Sequence, residues 1–139
     1  MKLFGIKLIE VTTEKLVFSN GFIIYSLPFE IGSKNLCDES FDLVFTSPPH
    51  FNYEVYCLEN PIYSNWIDEF YTPLIKESCR LVKKEIGFVA LHLNDTSAGS
   101  ITHFLNNISN ISTLELNHKI GLLGYYSNQI RPIFIWKKK

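Results

Sequence analysis

The chain has 139 residues, of which 13 are basic and 14 are acidic, and its net charge of -1 excludes a general attraction for nucleic acid, so any DNA affinity needs a local basic patch. Because 46% of the residues are hydrophobic and 14% aromatic, the composition excludes a disordered chain and predicts one domain with a core. No apolar run approaches the roughly 20 residues of a membrane helix, so we expect a soluble protein with no membrane partner. The three cysteines lack Cys-x-x-Cys spacing, which predicts reduced thiols in the core of an intracellular protein.

Residues 1–26 carry the composition typical of β-structure. Residues 3–11 are predicted to form one strand, and residues 15–18 and 22–25 flank an Asn-Gly pair at position 20. Asn-Gly between two β-rich runs is the strongest short signal for a hairpin, because both residues tolerate positive φ. The sequence therefore predicts an N-terminal β-hairpin within an antiparallel meander.

The next predicted strand, residues 41–46, leads into a double proline. Its near-continuous apolar run is typical of a parallel strand that is covered on both faces. Ser47, Pro48 and Pro49 follow it. Since proline lacks an N–H group and restricts the preceding residue to extended conformations, this segment is stiff and holds its carbonyl oxygens at fixed positions. Such acceptors beside aromatic rings predict a site for a planar amine.

Residues 64–84 have the strongest helical pattern in the chain. Ser64 is a natural N-cap, apolar side chains recur at helical spacing, and Pro73 is expected to kink the helix. A second buried strand is predicted at residues 88–93. We expect it to lie beside the strand of residues 41–46 and parallel to it, joined by a right-handed crossover through the helix.

The second strand finishes at His92 beside the tip of the first, and two polar side chains, Asn94 and Asp95, follow. Ligands bind outside the carboxyl ends of neighbouring parallel strands, so these side chains are expected to border the same pocket as Ser47. Alternatively, Asp95 caps the short amphipathic helix that the spacing of apolar residues predicts directly after it.

The chain closes with two predicted strands, residues 113–120 and 130–136, which form an antiparallel pair. With the parallel strands and their helix, this pair predicts an α/β fold. The basic residues near the end are expected either to contact phosphate or to form a solvated tail. The four histidines have no spacing typical of metal ligands, so no metal site is predicted.

One stretch resembles the catalytic motif of the S-adenosylmethionine-dependent DNA amino-methyltransferases. The residues that carry the resemblance are Thr46, Ser47, Pro48, Pro49, Phe51 and Tyr53. The family pattern is Asp, Asn or Ser, then two prolines, then an aromatic residue, and this sequence departs from it with His50 at the fourth position. The resemblance implies a single methyltransferase-like domain over residues 1–139. Residues 27–139 would form the C-terminal half of a partial Rossmann-like methyltransferase sheet.

The resemblance also implies roles for individual residues. Ser47 and the following carbonyl would accept hydrogen bonds from the exocyclic amine of a flipped-out adenine or cytosine, and His50 would stack on the base. The implied catalytic residues are Ser47, Pro48, Pro49 and His50, the implied substrate-binding residues are Phe51, Tyr53 and Arg131, and the implied cofactor-binding residues are Glu30, Thr46 and Asp95.

The implied cofactor is S-adenosylmethionine, and the implied partners are DNA and a second protein chain. A complete member of the family has a strand that ends in a glycine-rich loop, whereas Gly5, Gly21 and Gly32 each stand alone. We therefore expect this chain by itself to bind the cofactor weakly or not at all. Two hypotheses follow: a methyltransferase that binds its cofactor in an altered or shared way, and a non-catalytic methyltransferase-like binding module or partner subunit.

Overall fold

The computed structural model of the protein describes residues 2–3, 5–51, 63–97, 99–123 and 130–139. The chain is a mixed α/β protein that forms two compact units, Met1–Leu36 and Cys37–Lys139, each with one four-stranded sheet. Within the described ranges, no helix combines the length and the apolar character that crossing a membrane requires.

The first unit is an antiparallel meander, as predicted. Its strands are β1 (Lys2–Leu3), β2 (Ile6–Val11), β3 (Lys15–Phe18) and β4 (Ile23–Tyr25), and they lie side by side in chain order. Residues 3–11 do not form one strand, because Gly5 adopts a φ of 79° and turns β1 back onto β2. Helix α1 (Phe29–Gly32) and a 3₁₀ turn (Ser33–Asn35) complete the unit.

The hairpin between β3 and β4 forms at the expected Asn-Gly pair, but only the glycine has positive φ. Gly21 has a φ of 83°, and its N–H donates to the Phe18 carbonyl at 2.9 Å. The Phe18 N–H donates to the Phe22 carbonyl at 2.8 Å, which closes a three-residue loop. The Asn20 side chain accepts from the Phe22 N–H at 3.2 Å. A three-residue loop with glycine in the left-handed region is a common hairpin connection.

The second unit contains the strands β5 (Leu43–Thr46), β6 (Phe88–His92), β7 (Leu114–Leu123) and β8 (Ile130–Lys138), in the spatial order β5-β6-β8-β7. Strands β5 and β6 are parallel neighbours, with Leu43 opposite Phe88 and Thr46 opposite Leu91. Strand β8 is antiparallel to both β6 and β7. The predicted parallel pair and the predicted antiparallel pair are thus confirmed.

The helix between β5 and β6 contains a widened segment. It consists of α2 (Tyr63–Trp66), a π-helical segment (Ile67–Tyr71) and α3 (Thr72–Leu81), together called the crossover helix. The helix is already formed at Tyr63, so the prediction of Ser64 as its N-cap is wrong, and it ends before the predicted residue 84. In a regular α-helix, the ring of Pro73 would clash with the carbonyl four residues earlier. The π segment directly before the proline widens the turn at this place.

The core of the second unit lies between the crossover helix and one face of the sheet. The helix contributes Leu74, Ile75 and Leu81, and the sheet contributes Val89, Leu91, Phe134 and Trp136, all of them buried. Helix α4 (Thr102–Asn106) and a 3₁₀ turn (Ile108–Asn110) add Leu105 and Ile108, which confirms the predicted amphipathic helix.

The prediction that β5 is covered on both faces is wrong. Leu43 and Phe45 point to the same side of the strand and are 54% and 60% exposed. Strand β5 is at the edge of the sheet, and no other strand in the described ranges pairs with its outer side. The apolar side chains on one face of β5 are therefore not buried in the core of this unit.

Two predictions about single residues are also wrong. Cys37 is exposed, whereas Cys79 is buried as expected, and Cys57 lies outside the described residues. Lys138 is not part of a solvated tail: it belongs to β8 and is 9% exposed. Its ammonium group lies 3.0 Å from Glu39 Oε1 and donates to the Val82 carbonyl at 3.1 Å. Lys138 is therefore not available to bind phosphate.

Candidate functional site

The parallel register of β5 and β6 brings Ser47 and His92 together at the carboxyl ends of the two strands. Thr46 lies opposite Leu91, so the next residue of each strand falls at the same level. Ser47 Oγ is 3.0 Å from His92 Nδ1. The sequence placed His92, Asn94 and Asp95 at this edge but assigned no role to His92. The alignment of the two strand ends was the signal that could have found its contact with Ser47.

His92 is half-buried and is held by few polar contacts. Its Nε2 atom is buried and has no hydrogen-bond partner among the residues that the structure describes. The ring of His50 packs edge-on against it, with centroids 5.9 Å apart. Burial, together with His50 and the nearby guanidinium of Arg131, holds the pKa of His92 below its usual value. The imidazole is therefore neutral at pH 7.

The double-proline segment is anchored on both sides. The hydroxyl of Tyr71, a residue that is 1% exposed, donates to the Pro49 carbonyl at 2.6 Å. The hydroxyl of Thr96 donates to the Phe51 carbonyl at 3.1 Å. Residues 47–51, which we call the motif loop, are thus fixed to the crossover helix and to the segment after β6.

The π-helical segment explains how Tyr71 reaches the motif loop while Trp66 stays in the core. These two buried residues are five positions apart, which corresponds to about 140° around a regular α-helix. Their rings nevertheless lie 6.2 Å apart on one side of the crossover helix. The wider π turn brings them into line.

The two aromatic positions of the motif that are described face different surroundings. The half-buried His50 packs on His92, as described above. Phe51 lies against Trp66, with ring centroids 5.8 Å apart and planes at 72°. Trp66 is buried. The predicted role of Tyr53 falls on a residue outside the described ranges.

Asp95 is engaged as a helix cap, which was the alternative expectation for it. Its Oδ1 accepts from the N–H groups of Ile101 at 2.7 Å and Thr102 at 2.9 Å, and its Oδ2 accepts from the Thr102 hydroxyl at 2.9 Å. Partial burial raises the pKa of Asp95, but the hydrogen bonds from Thr102, Ser100 and Ile101 outweigh it, so the pKa lies below its ordinary value.

The three residues assigned to the cofactor lie in different local surroundings. Glu30 is an exposed residue of α1 in the first unit, and there it lies in a helix rather than in the expected loop. Thr46 is half-buried within β5, and both oxygens of Asp95 are used by α4. No group of three or more His, Cys, Asp or Glu side chains in the described ranges is placed to hold a metal ion.

The site offers hydrogen-bond acceptors and few donors. Pro48 and Pro49 have no N–H groups, so the motif loop presents the Ser47 hydroxyl and backbone carbonyls at this point. A Ser-His pair can also serve as nucleophile and base in acyl transfer, but that chemistry needs N–H donors for an oxyanion beside the serine. The two positions directly after Ser47 supply no such donor, because both are prolines.

Comparison with known proteins does not identify a family for the chain. A scan against models of protein families finds no match for the chain, and a search of curated proteins finds no match either. The residues of the motif loop and their contacts are therefore the observations from which a function can be inferred.

Proposed function

We propose that the second unit is a methyltransferase-like module that binds the exocyclic amine of adenine or cytosine in DNA. Its parallel strands, crossover helix and closing antiparallel pair would form the C-terminal half of a Rossmann-like methyltransferase sheet. The observation that carries the proposal is the placement of Ser47, Pro48 and Pro49 directly after an edge strand, at the carboxyl end of a parallel pair.

The acceptors of the motif loop match the ligand. An exocyclic amine has two N–H donors, and the Ser47 hydroxyl and the Pro48 carbonyl supply two acceptors on adjacent residues. Tyr71 donates to the carbonyl of Pro49 rather than to that of Pro48. In the proposed complex, both N–H groups of the amine are held, which directs the nitrogen lone pair away from the protein segment that binds it.

The rigidity of the motif loop supports the same function. Prolines fix the backbone, and hydrogen bonds from Tyr71 and Thr96 hold the middle and the last residue of the loop. A preorganised site loses less conformational entropy on binding than a mobile one does. His50 would then cover one face of the flipped base, a contact that is worth roughly 1–3 kcal/mol per base.

Of the two hypotheses for activity, the partner subunit is favoured over the self-sufficient enzyme. The residues assigned to S-adenosylmethionine are exposed, embedded in a strand or used as a helix cap, as described above. When bound, that cofactor supplies the methyl group. We therefore propose that a second protein chain completes the cofactor site, while this chain binds the target adenine or cytosine.

The first experiment separates these hypotheses. Isothermal titration of the isolated chain with S-adenosylmethionine should give weak binding or none. Saturable binding at low micromolar concentration would show instead that the chain builds the cofactor site itself, and methyl transfer to DNA should then be measured directly.

The second experiment tests the base site. Binding of a single-stranded DNA that contains adenine and cytosine should weaken about tenfold in Ser47→Ala, because one oriented acceptor is lost. Ser97→Ala, which changes an exposed serine in the segment after β6, is the matched control. If an active assembly is found, Ser47→Ala should cost about 10²-fold in rate. Equal binding and activity in both variants would exclude Ser47 from the site.

A test at His50 completes the set. His50→Ala should weaken binding of the same DNA, because stacking on the base is lost, and His50→Tyr, which restores the family residue, should bind as well as the natural chain or better. Weaker binding by His50→Tyr would show that the imidazole has a role that a larger ring cannot replace.

A further inference from the structure

We propose that neutral His92 is a positioning residue, which takes the proton of the Ser47 hydroxyl in a hydrogen bond and so turns the oxygen lone pairs of Ser47 toward an incoming amine. The inference rests on the proposed function and deepens it, because it names the group that makes Ser47 an acceptor. A serine hydroxyl is otherwise both a donor and an acceptor, and it would not discriminate between an amine and a carbonyl.

The distances identify the hydrogen-bond partner of the Ser47 hydroxyl. Ser47 Oγ is 3.0 Å from His92 Nδ1 and 3.5 Å from the His92 backbone carbonyl. The first distance is normal for a hydrogen bond, whereas the second is at the limit of one. In the proposed arrangement Nδ1 is unprotonated, so the hydroxyl donates to Nδ1, and the ring carries its own proton on Nε2, a buried atom that has no partner among the described residues.

The surroundings of His92 keep the imidazole neutral. Within the part of the chain that the structure describes, the charged or titratable groups that act on it are His50 of the motif loop and Arg131 of β8, and both lower its pKa. Arg131 thus acts on the site through His92, although the resemblance assigned it to the substrate.

Protonation of His92 would reverse the polarity of Ser47. An imidazolium carries a proton on Nδ1, which would donate to Ser47 Oγ and occupy one lone pair. The hydroxyl proton would then point outward, where it opposes the N–H groups of an amine. We therefore expect amine binding to be lost as the pH falls through the pKa of His92.

The first test reads the proton positions in the natural chain. Nitrogen-15 NMR of the imidazole distinguishes a protonated Nε2 from a protonated Nδ1. At pH 7.5 we expect His92 with its proton on Nε2, and in Ser47→Ala we expect the resonance of Nδ1 to shift because its donor is lost. A proton on Nδ1 in the natural chain would overturn the inference, whatever the protein binds.

The second test uses two nucleosides as probes. Deoxyadenosine carries the exocyclic amine, and deoxyinosine has an oxygen in its place. The natural chain should prefer deoxyadenosine, and His92→Leu should reduce that preference about tenfold, because Ser47 is no longer fixed as an acceptor. His92→Asn, whose side-chain oxygen can take the place of Nδ1, should retain it. An undiminished preference in a folded His92→Leu variant would overturn the inference.

The pH dependence provides a readout that a purely structural role would not change. The preference for deoxyadenosine should fall on acidification in the natural chain and in His50→Phe, but not in His92→Asn. If neither nucleoside binds while the NMR places the proton on Nε2, the proposed function fails, and the orientation of Ser47 by His92 stands. If the preference is present but independent of His92, the proposed function stands, and the inference fails.

Discussion

The two faces of the second sheet are both apolar, but only one of them contributes to the core of the unit. On the covered face, Leu91 and Trp136 are each 1% exposed beneath the crossover helix. On the open face, Leu43 and Phe45 of β5 and Ile120 of β7 have about half of their surface exposed. Burial of apolar surface, and not apolar character itself, stabilises the fold, so equal side chains on the two faces should differ widely in their contribution.

The largest expected effect is a truncation on the covered face. Leu91→Ala should reduce the free energy of unfolding by about 2–5 kcal/mol, because a fully buried leucine is lost and a cavity remains. Urea unfolding followed by tryptophan fluorescence measures this unit specifically, since Trp66 and Trp136 both belong to it.

Leu43→Ala is the matched control for this prediction. It makes the same chemical change on the open face, and it should cost less than about 1 kcal/mol, because the side chain is already more than half in water. Equal losses in the two variants would show that the open face is covered in solution.

A second expected effect concerns Gly87, which lies very close to the backbone of Lys83. A methyl group on Gly87 would lie 2.5 Å from the Lys83 carbonyl oxygen and 2.6 Å from the Lys83 nitrogen, so Gly87→Ala should destabilise by about 1–3 kcal/mol. Among the described residues, the methyl group of Gly121→Ala on β7 would meet the side chain of Ile130, which is exposed and can move. Its thermal midpoint should stay near that of the natural chain. A loss for Gly121→Ala as large as that for Gly87→Ala would contradict this contrast.

The apolar pattern of the sequence predicts the strands well but not which face of β5 is covered. Leu43, Val44 and Phe45 are all apolar, so the pattern favoured a strand buried on both sides. Strand order decides the outcome, and strand order is a long-range property. The edge position of β5 leaves one of its faces and its outer backbone without neighbours in the described part of the sheet.

The candidate site was predicted only in part, for a similar reason. Ser47 and the prolines were identified from local chemistry, because proline has the same effect on the backbone in any fold. His92 was placed at the strand end, but its contact with Ser47 was not predicted, because the contact depends on the register of two strands and joins residues 45 positions apart. The contact of Tyr71 with Pro49 was not predicted, since the π turn that brings its hydroxyl there is not encoded by regular helical spacing.

A third prediction tests the link between the covered face and the motif loop. Tyr71→Phe keeps the ring but removes the hydroxyl that donates to the Pro49 carbonyl, and it should cost about 1 kcal/mol in unfolding free energy. Amide hydrogen exchange should accelerate at His50 and Phe51. If exchange in the motif loop is unchanged, the prolines alone are sufficient to hold it.

The smallest expected effect is a pH dependence that arises at the end of β6. The ordinary pKa of His92 is 6.5, and its pKa in the folded chain is lower, mainly because the ring is partly buried. On acidification the unfolded chain therefore binds the proton first, so stability should fall as the pH decreases from about 6.5 toward the folded-state pKa. Above pH 6.5 this contribution is complete.

The measurement compares the free energy of unfolding of the natural chain and of His92→Asn at pH 7.5 and at pH 5.5. The difference between the two proteins should change with pH in the stated direction, while the other histidines cancel. An identical pH dependence would show that His92 is protonated as easily in the folded chain as in the unfolded one.

The ion pair of Lys138 with Glu39 has a topological meaning beyond its energy. Glu39 lies near the start of the second unit and Lys138 near its end, yet their charged atoms are 3.0 Å apart. The backbone of Lys138 also exchanges hydrogen bonds with the turn before β6: its N–H donates to the Gly87 carbonyl, and its carbonyl accepts from the Glu85 N–H. The segments near the two ends of the second unit therefore lie close together. A short linker between its two ends should therefore permit circular permutation of this unit.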